Sequence, residues 1–503
     1  MAFNIGQMLA NRASLLGKKE GFVRSHIRFT FTDMNNRANA IAHFLLENGF
    51  NKGDKLAIVC KNNEDFVAVF FGAAKIGVIC VAVNCKLQAK EMAAIFNHSC
   101  VKAVMYDEAL KPIIEQTKAE TTVRYYISNG ISNEAHVIAT IVQRYPSDEP
   151  VYQSFDDEPI LMMYTSGTTG TPKGAMISHH NLLAAAVSLS TTITWWETDR
   201  FLLVVPMSHI AGFVPLITNI HTGATTILAE DFEPISVWYT IEKERITTMM
   251  SVPEMLASLI KALAIMKPNL STIRTITCGA ASVPQQIIVV FKQFGIPVQQ
   301  VYGITEYTGS LTMWRSEFDE KKYGSKGKTV MYSDMKVISL ETGEALPPYE
   351  NGEVICRGPQ TFLGYYENEE ATKQVLRNGW YYTGDIGHLD EEGFLYLVDR
   401  VKDMIVSNGE KIYSAELESV LLKHPAVVQV AVVGVPDAYF GEIPRAYVEL
   451  KEGMQCTAEE LMDFCRQQLA AYKAIKEVVF VEQLPRNTVG KLVKGELRNL
   501  QNH

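Results

Sequence analysis

The sequence predicts an α/β protein in two parts: a large N-terminal domain over residues 1–400, made of parallel-rich α/β subdomains plus a small β unit, and a small α+β C-terminal domain over residues 401–503. Three observations carry this. Apolar strands alternate with amphipathic helices from residue 28 to residue 106. Several later strands run out into short stretches of small or polar residues, which is where α/β sheets place ligands. From about residue 334 the pattern changes to short strands and turns, and a compact mixture of helices and strands follows Asp399.

Residues 28–30 read as a strand, and Thr32 or Asp33 can cap the next helix. Its apolar positions Met34, Ala38, Ile41, Ala42 and Leu45 keep the 3.6-residue period, and Gly49 stops it. Strand 55–60, helix 66–75, strand 78–83, helix 89–97 and strand 103–106 continue the alternation. Residues 66–83 are the most membrane-like stretch, but Lys75 lies in its centre, where a charge costs about 2.5 to 3.5 kcal/mol in a spanning helix, and Gly72 and Gly77 interrupt it. A buried helix ending near Lys75, then a strand, is expected instead. Residues 123–155 read as polar and irregular, and an apolar strand over 160–164 leads into residues 165–174.

That stretch, Thr-Ser-Gly-Thr-Thr-Gly-Thr-Pro-Lys-Gly, combines three glycines with four threonine hydroxyls, one serine hydroxyl and one lysine. The glycines let backbone come close to a ligand and the side chains offer donors, a composition that suits polyphosphate. It is not the usual nucleotide loop, because Gly174 follows Lys173 where Ser or Thr is wanted, and 175–178 reads as a strand rather than a helix start. Ser178 can cap a helix to residue 189, and strand 200–205 ends in Pro206-Met207-Ser208-His209. Strand 273–278 runs into Gly279-Ala280-Ala281-Ser282. A helix over 284–294, stopped by Gly295, precedes strand 298–302 and Gly303-Ile304-Thr305-Glu306. Strands 336–339, 353–356, 379–383 and 394–398 form the β unit. The C-terminal part reads as helix 415–423, strands 427–433 and 446–450, helix 458–469 and strand 477–481, with a linker near 399–402.

A net charge of −9 argues against non-specific binding to nucleic acid or to an anionic membrane. Eight scattered cysteines without a C-x-x-C pair read as reduced thiols rather than a disulfide framework or zinc site. Residues 1–10 lack the basic start and apolar core of a signal peptide, so a cytoplasmic location is expected.

By themselves Glu306 is a lone acid at a strand end, Asp385 a turn aspartate after glycine, and Lys491 a lysine in a basic tail with Lys494 and Arg498. Taken together, six stretches resemble the adenylate-forming superfamily, in its acyl-CoA synthetase branch. They are residues 164–174, Tyr302-Gly303-Ile304-Thr305-Glu306, Gly352-Glu353-Val354, Tyr382-Thr383-Gly384-Asp385, Asp399-Arg400-Val401-Lys402-Asp403 and Pro485-Arg486-Asn487-Thr488-Val489-Gly490-Lys491. The resemblance spans nearly the whole chain and implies a mobile C-terminal domain. It also implies magnesium as cofactor and ATP, a carboxylic acid and coenzyme A as substrates.

The chemistry implied is attack of a carboxylate on the α-phosphorus of ATP, in which two anions approach and charge builds on phosphorus, so cations are wanted there. The resemblance gives Thr165, Ser166, Gly167, Thr168, Thr169, Gly170 and Lys173 to the phosphates, and Glu306 with Thr165 to the metal. It makes Lys491 the lysine that serves adenylation, with Thr305 and Lys173 also in the catalytic set. Gly279, Ala280, Ala281, Tyr302 and Gly303 would border adenine, and Asp385 and Arg400 the ribose. His209, Phe213, Ser282 and Tyr307 would line the acyl pocket, where no side chain stands ready for an amino acid's ammonium group. Lys402 matches the hinge and Gly409 the thiol tunnel, although Asn408 replaces the first glycine of the frequent Gly-Gly pair and Ser414 a frequent proline. The expected enzyme acts on a fatty or aromatic acid, the compact length favouring a medium-chain or aryl one. Alternatives are an adenylation enzyme that loads a carrier protein and a nucleotide-binding module without turnover.

Overall fold

Two large sheets dominate the structure, both parallel in their centres, one with antiparallel strands at both edges and the other at one edge. A computed structural model describes the chain apart from residues 1–2, 131–134, 166–172, 264, 409, 438, 471, 487–491 and 500–503. Both sheets lie in a first compact unit, Met1–Gly167, Thr171–Met335 and Cys356–Tyr381; a second contains Lys336–Ile355 and Tyr382–His503. The mixed α/β class read from the alternation is the one found.

In the eight-stranded sheet, Lys55–Val59 pairs in parallel with Ile79–Ala82 on one side and Ala103–Tyr106 on the other. Tyr125–Ser128 and His136–Val137 extend it in parallel beyond Ala103–Tyr106. Pro159–Thr165 lies parallel to Ile79–Ala82 and turns back through an antiparallel partner, Lys173–Ser178, which Gly364–Tyr365 then borders. The nine-stranded sheet sets Glu20–Arg24, Thr225–Leu228, Arg200–Leu203, Thr248–Ser251, Thr275–Cys278 and Val298–Ile304 parallel in that order. Gly309–Trp314 and Lys328–Thr329 close one edge antiparallel, and Ile27–Thr30 the other.

The membrane-like stretch is a core helix, Glu64–Lys75, with all its residues buried. A helix apolar on every side needs packing on every side. Lys75 is fully buried, and its ammonium donates to Asn35 Oδ1 and Glu149 Oε2, both at 2.7 Å, and to Asn39. Burial pulls its pKa down to about 8, against the opposing pull of Glu149.

Some expected boundaries move. The first amphipathic helix begins at Phe31 because Thr30, not Thr32 or Asp33, is the cap; Asp33 completes a capping box from the third helical position. Residues 123–155 are not irregular throughout: strands Tyr125–Ser128 and His136–Val137 and helix Ile138–Arg144 lie there. These elements are short and only partly buried, so they carry little apolar periodicity. The strand expected to end at Tyr302 runs on to Ile304, and Thr305–Tyr307 is a single 3-10 turn.

In the second unit, Trp380–Leu389 pairs antiparallel with Leu395–Arg400. A further sheet joins Val427–Asp437 and Gly441–Leu450 in a long antiparallel pair, with Glu477–Phe480 parallel to the latter. Ile405–Ser407 and Glu410–Ile412 complete it. Leu417 and Leu421 of helix Ser414–Leu421 and Leu461 and Cys465 of helix Ala458–Gln468 pack on Val432 and Val448.

Candidate active site

The threonine-rich stretch begins and ends on a pair of strand residues, Thr165 opposite Lys173, at the open end of the antiparallel pair. Ser166, Gly167, Thr168, Thr169 and Gly170 lie outside the described residues. Glu306 faces this end from its 3-10 turn: its Oε1 lies 3.4 Å from the Thr165 hydroxyl and accepts a 2.8 Å hydrogen bond from Tyr365. The carboxylate is buried, and the Phe362 N–H donates to the Glu306 carbonyl at 2.9 Å. Burial, and then the carboxylate, push the Tyr365 phenol far above its usual range, so it remains a donor. The Lys173 ammonium lies 5.3 Å from the centre of the same ring. Thr165 and Glu306 are hard oxygen donors and suit magnesium, which takes few protein ligands and shares itself with phosphate and water.

Thr305 is half-buried and opens the turn that presents Glu306. Tyr302 stands one strand away from the loop at Gly279, across the pairing of Cys278 with Gln300. At Gly303 the chain bulges, and a Cβ there would lie 2.2 Å from the Gly309 carbonyl oxygen, so the close approach of the two strands demands glycine. Ala280, Ala281 and Ser282 are exposed, and Ala280 takes a φ of 67°, a strained backbone for a residue with a side chain.

His209 caps helix Ile210–Thr222, and its Nε2 is buried with no hydrogen-bond partner among the described residues. Burial, with Lys86 as a lesser cause, holds its pKa below the usual range and keeps it neutral at pH 7. An orphaned buried nitrogen is the condition of a group that awaits a ligand. Phe213 and Tyr307 are fully buried instead: Phe213 packs on Phe70 at 4.7 Å between ring centres, and the Tyr307 hydroxyl donates to the Arg357 carbonyl at 2.9 Å. Both side chains belong to the hydrophobic core, with Val214 and Leu311.

In the second unit Asp385 and Arg400 are direct cross-strand partners, 3.0 Å apart, with the carboxylate buried and the guanidinium partly exposed. Lys402 follows, its pKa lowered chiefly by burial, and Arg498 donates to its carbonyl and, at 2.7 Å, to Asp403. Asn408 adopts a φ of 50°, the left-handed backbone that glycine would favour and asparagine tolerates. Ser414, in the place of proline, donates to Asp399 at 2.9 Å and accepts from Lys494 at 2.7 Å. Gly409 and Lys491 lie outside the described residues.

The AMP-binding enzyme family model matches residues 9–366, and the model of its C-terminal domain matches residues 416–491. The long-chain-fatty-acid–CoA ligase FadD13 of Mycobacterium tuberculosis is 35% identical over 502 residues, covering 98% of each chain. The chain belongs to the AMP-binding enzyme family, on its acid–CoA ligase branch. This AMP-binding enzyme is also 32% identical to a 2-succinylbenzoate–CoA ligase of Bacillus cereus over 495 residues, 98% of each chain. Among solved structures, an o-succinylbenzoate coenzyme A synthetase of Bacillus subtilis, in complex with ATP and magnesium ion, has a TM-score of 0.86. It is 32% identical and covered, like this chain, to 99%.

Two side chains of this AMP-binding enzyme went unnoticed in its sequence. Tyr365, in Gly364-Tyr365-Tyr366, reaches Glu306 only because Gly364–Tyr365 borders the strand that starts at Lys173. Lys326 comes within 3.1 Å of the Ser282 hydroxyl through pairing of the sheet's edge strands. Neither residue has a local pattern that marks it.

Proposed function

We propose that this acid–CoA ligase activates a fatty or aromatic carboxylic acid with magnesium and ATP, releases pyrophosphate, and passes the acyl group from its adenylate to coenzyme A in the cytoplasm. The single observation that supports this best is the buried Glu306 carboxylate, held by Tyr365 at the mouth of the strand pair that carries Thr165 and Lys173. Magnesium held there would neutralise charge on the phosphates that leave. Lys173 and the threonine-rich stretch bind those phosphates, Tyr302 and residues 279–281 border the base, and Asp385 with Arg400 holds the sugar. His209 offers its neutral ring edge beside the acid, and Lys491, in the C-terminal domain that we assign to residues 401–503, serves the first step. Length does not choose the acid, since a relative of the same span bears a long-chain name.

No helix among the described residues is long and apolar enough to cross a membrane. Transfer to a carrier protein is the second reading, which shares the phosphopantetheine thiol and so the same passage past Asn408. The test is pyrophosphate release with a panel of acids, followed by thioester assays with coenzyme A and with a holo carrier protein side by side. A chain that releases no pyrophosphate with any acid is not this enzyme, and one that loads only the carrier protein is the other.

A further inference from the structure

The Lys326 ammonium is 3.1 Å from the Ser282 hydroxyl, and no carboxylate lies within ion-pairing reach of it among the described residues. Other lysines of the first unit have found one: the partly buried Lys102 pairs with Asp54 at 2.9 Å, and the fully buried Lys75 with Glu149 at 2.7 Å. A half-buried lysine whose ammonium has only a hydroxyl as partner among the described residues is under-compensated, because a cation partly withdrawn from water needs a counter-charge. Burial, with no charge to oppose it, draws its pKa down.

The position is built. The Thr312 hydroxyl donates to the Lys326 carbonyl at 2.7 Å, and Thr312 is in turn the strand partner of Tyr302. The next residue, Gly327, has a φ of 80°, and a Cβ there would fall 1.9 Å from the Met313 carbonyl carbon, so this segment is pressed onto the strand Gly309–Trp314. Its backbone therefore fixes where the lysine starts, and Ser282, at the end of the loop after Thr275–Cys278, marks where it arrives.

We propose that Lys326 is a specificity-determining residue: with the Ser282 hydroxyl it receives a second anionic group of the acid, remote from the carboxylate that reacts. The substrate class is then a dicarboxylic acid, aliphatic or aryl, rather than a simple fatty acid. This rests on the reading above that the Ser282 loop borders the acid pocket. The recognition is non-covalent, and it leaves adenylation and thioester formation at the other carboxylate as they are.

The test measures kcat/KM for pyrophosphate release with matched acids, octanoate against suberate and benzoate against terephthalate. Wild type is compared with Lys326→Met and Lys326→Arg, with the KM for ATP and coenzyme A read in parallel. The expected result is preference for the diacid in wild type, a fall of about tenfold or more in that preference in Lys326→Met, as for loss of a charge-assisted contact, and its retention in Lys326→Arg. Should Lys326→Met not fold, the diacid preference of wild type and of Lys326→Arg still decides. Preference for monoacids in wild type overturns the proposal, as does a variant that changes the KM for ATP or coenzyme A while the acid ratio stays fixed. Turnover of monoacids alone leaves the ligase standing and removes only this inference, whereas no turnover of any acid removes both.

Discussion

Tyr365 donates a 2.8 Å hydrogen bond to Glu306 from a strand that borders the one beginning at Lys173, so a single phenol ties the candidate metal carboxylate to the sheet end that carries Thr165 and Lys173. Hydrogen bonds to charged groups contribute about 1.5–3 kcal/mol. Tyr365→Phe is therefore expected to raise the magnesium concentration needed for half-maximal pyrophosphate release by roughly tenfold to a hundredfold. A magnesium titration identical to wild type would show that the bond does not position the carboxylate.

Lys491→Ala is expected to separate the two half-reactions. At about 4 Å and an effective dielectric of about 20, one unit charge contributes about 4 kcal/mol, or on the order of a thousandfold in rate if it acts only in the transition state. Adenylation should fall by about that factor while thioester formation from a supplied acyl-adenylate stays near wild type. Equal loss of both steps refutes the division.

On the proposed reading His209 should act on the acid and not on the nucleotide, and its buried Nε2 has no hydrogen-bond partner among the described residues. His209→Ala is expected to raise the KM for the acid by roughly tenfold, the cost of one lost contact, and to leave the KM for ATP unchanged. Initial rates at varied acid and at varied ATP check this.

Lys75 makes stability depend on pH. Its folded pKa of about 8 lies below the ordinary 10.5, so between those values the unfolded chain binds more protons and this group's contribution to stability rises with pH. The span corresponds to about 3 kcal/mol at most. Urea unfolding of wild type minus Lys75→Met, followed from pH 7 to pH 10, should show that rise, and a flat difference would contradict it. Glu149→Ala strands the ammonium and should cost about 2 kcal/mol, discounted because Glu149 is 40% exposed. Lys373→Ala, which breaks an exposed pair with Glu369, should leave stability nearly unchanged.

Sequence reasoning found what is written along the chain. Strand ends at 206–209, 279–282 and 303–306 were legible because an apolar run that stops at small or polar residues is a local signal. Glu306 and Asp385 became legible only as a set, since each alone has a commoner meaning. What was not legible depends on pairing between distant segments: Tyr365 reaches Glu306, Lys326 reaches Ser282, and Ser414 joins Asp399 to Lys494. The cap at Thr30 is of another kind: residues 28–30 read as a strand and Thr32 or Asp33 as the cap, whereas the backbone already turns into the helix at Phe31 and leaves Thr30 as the capping residue.

The left-handed Asn408 bears on how such chains are found. A search that demands two glycines before the second half-reaction's loop would discard this one, although its backbone takes the turn that glycine serves. The requirement at that position is for a residue that bears a positive φ, and asparagine meets it at a modest energetic cost. Any residue that bears a positive φ at modest cost can therefore stand there without altering the course of the chain.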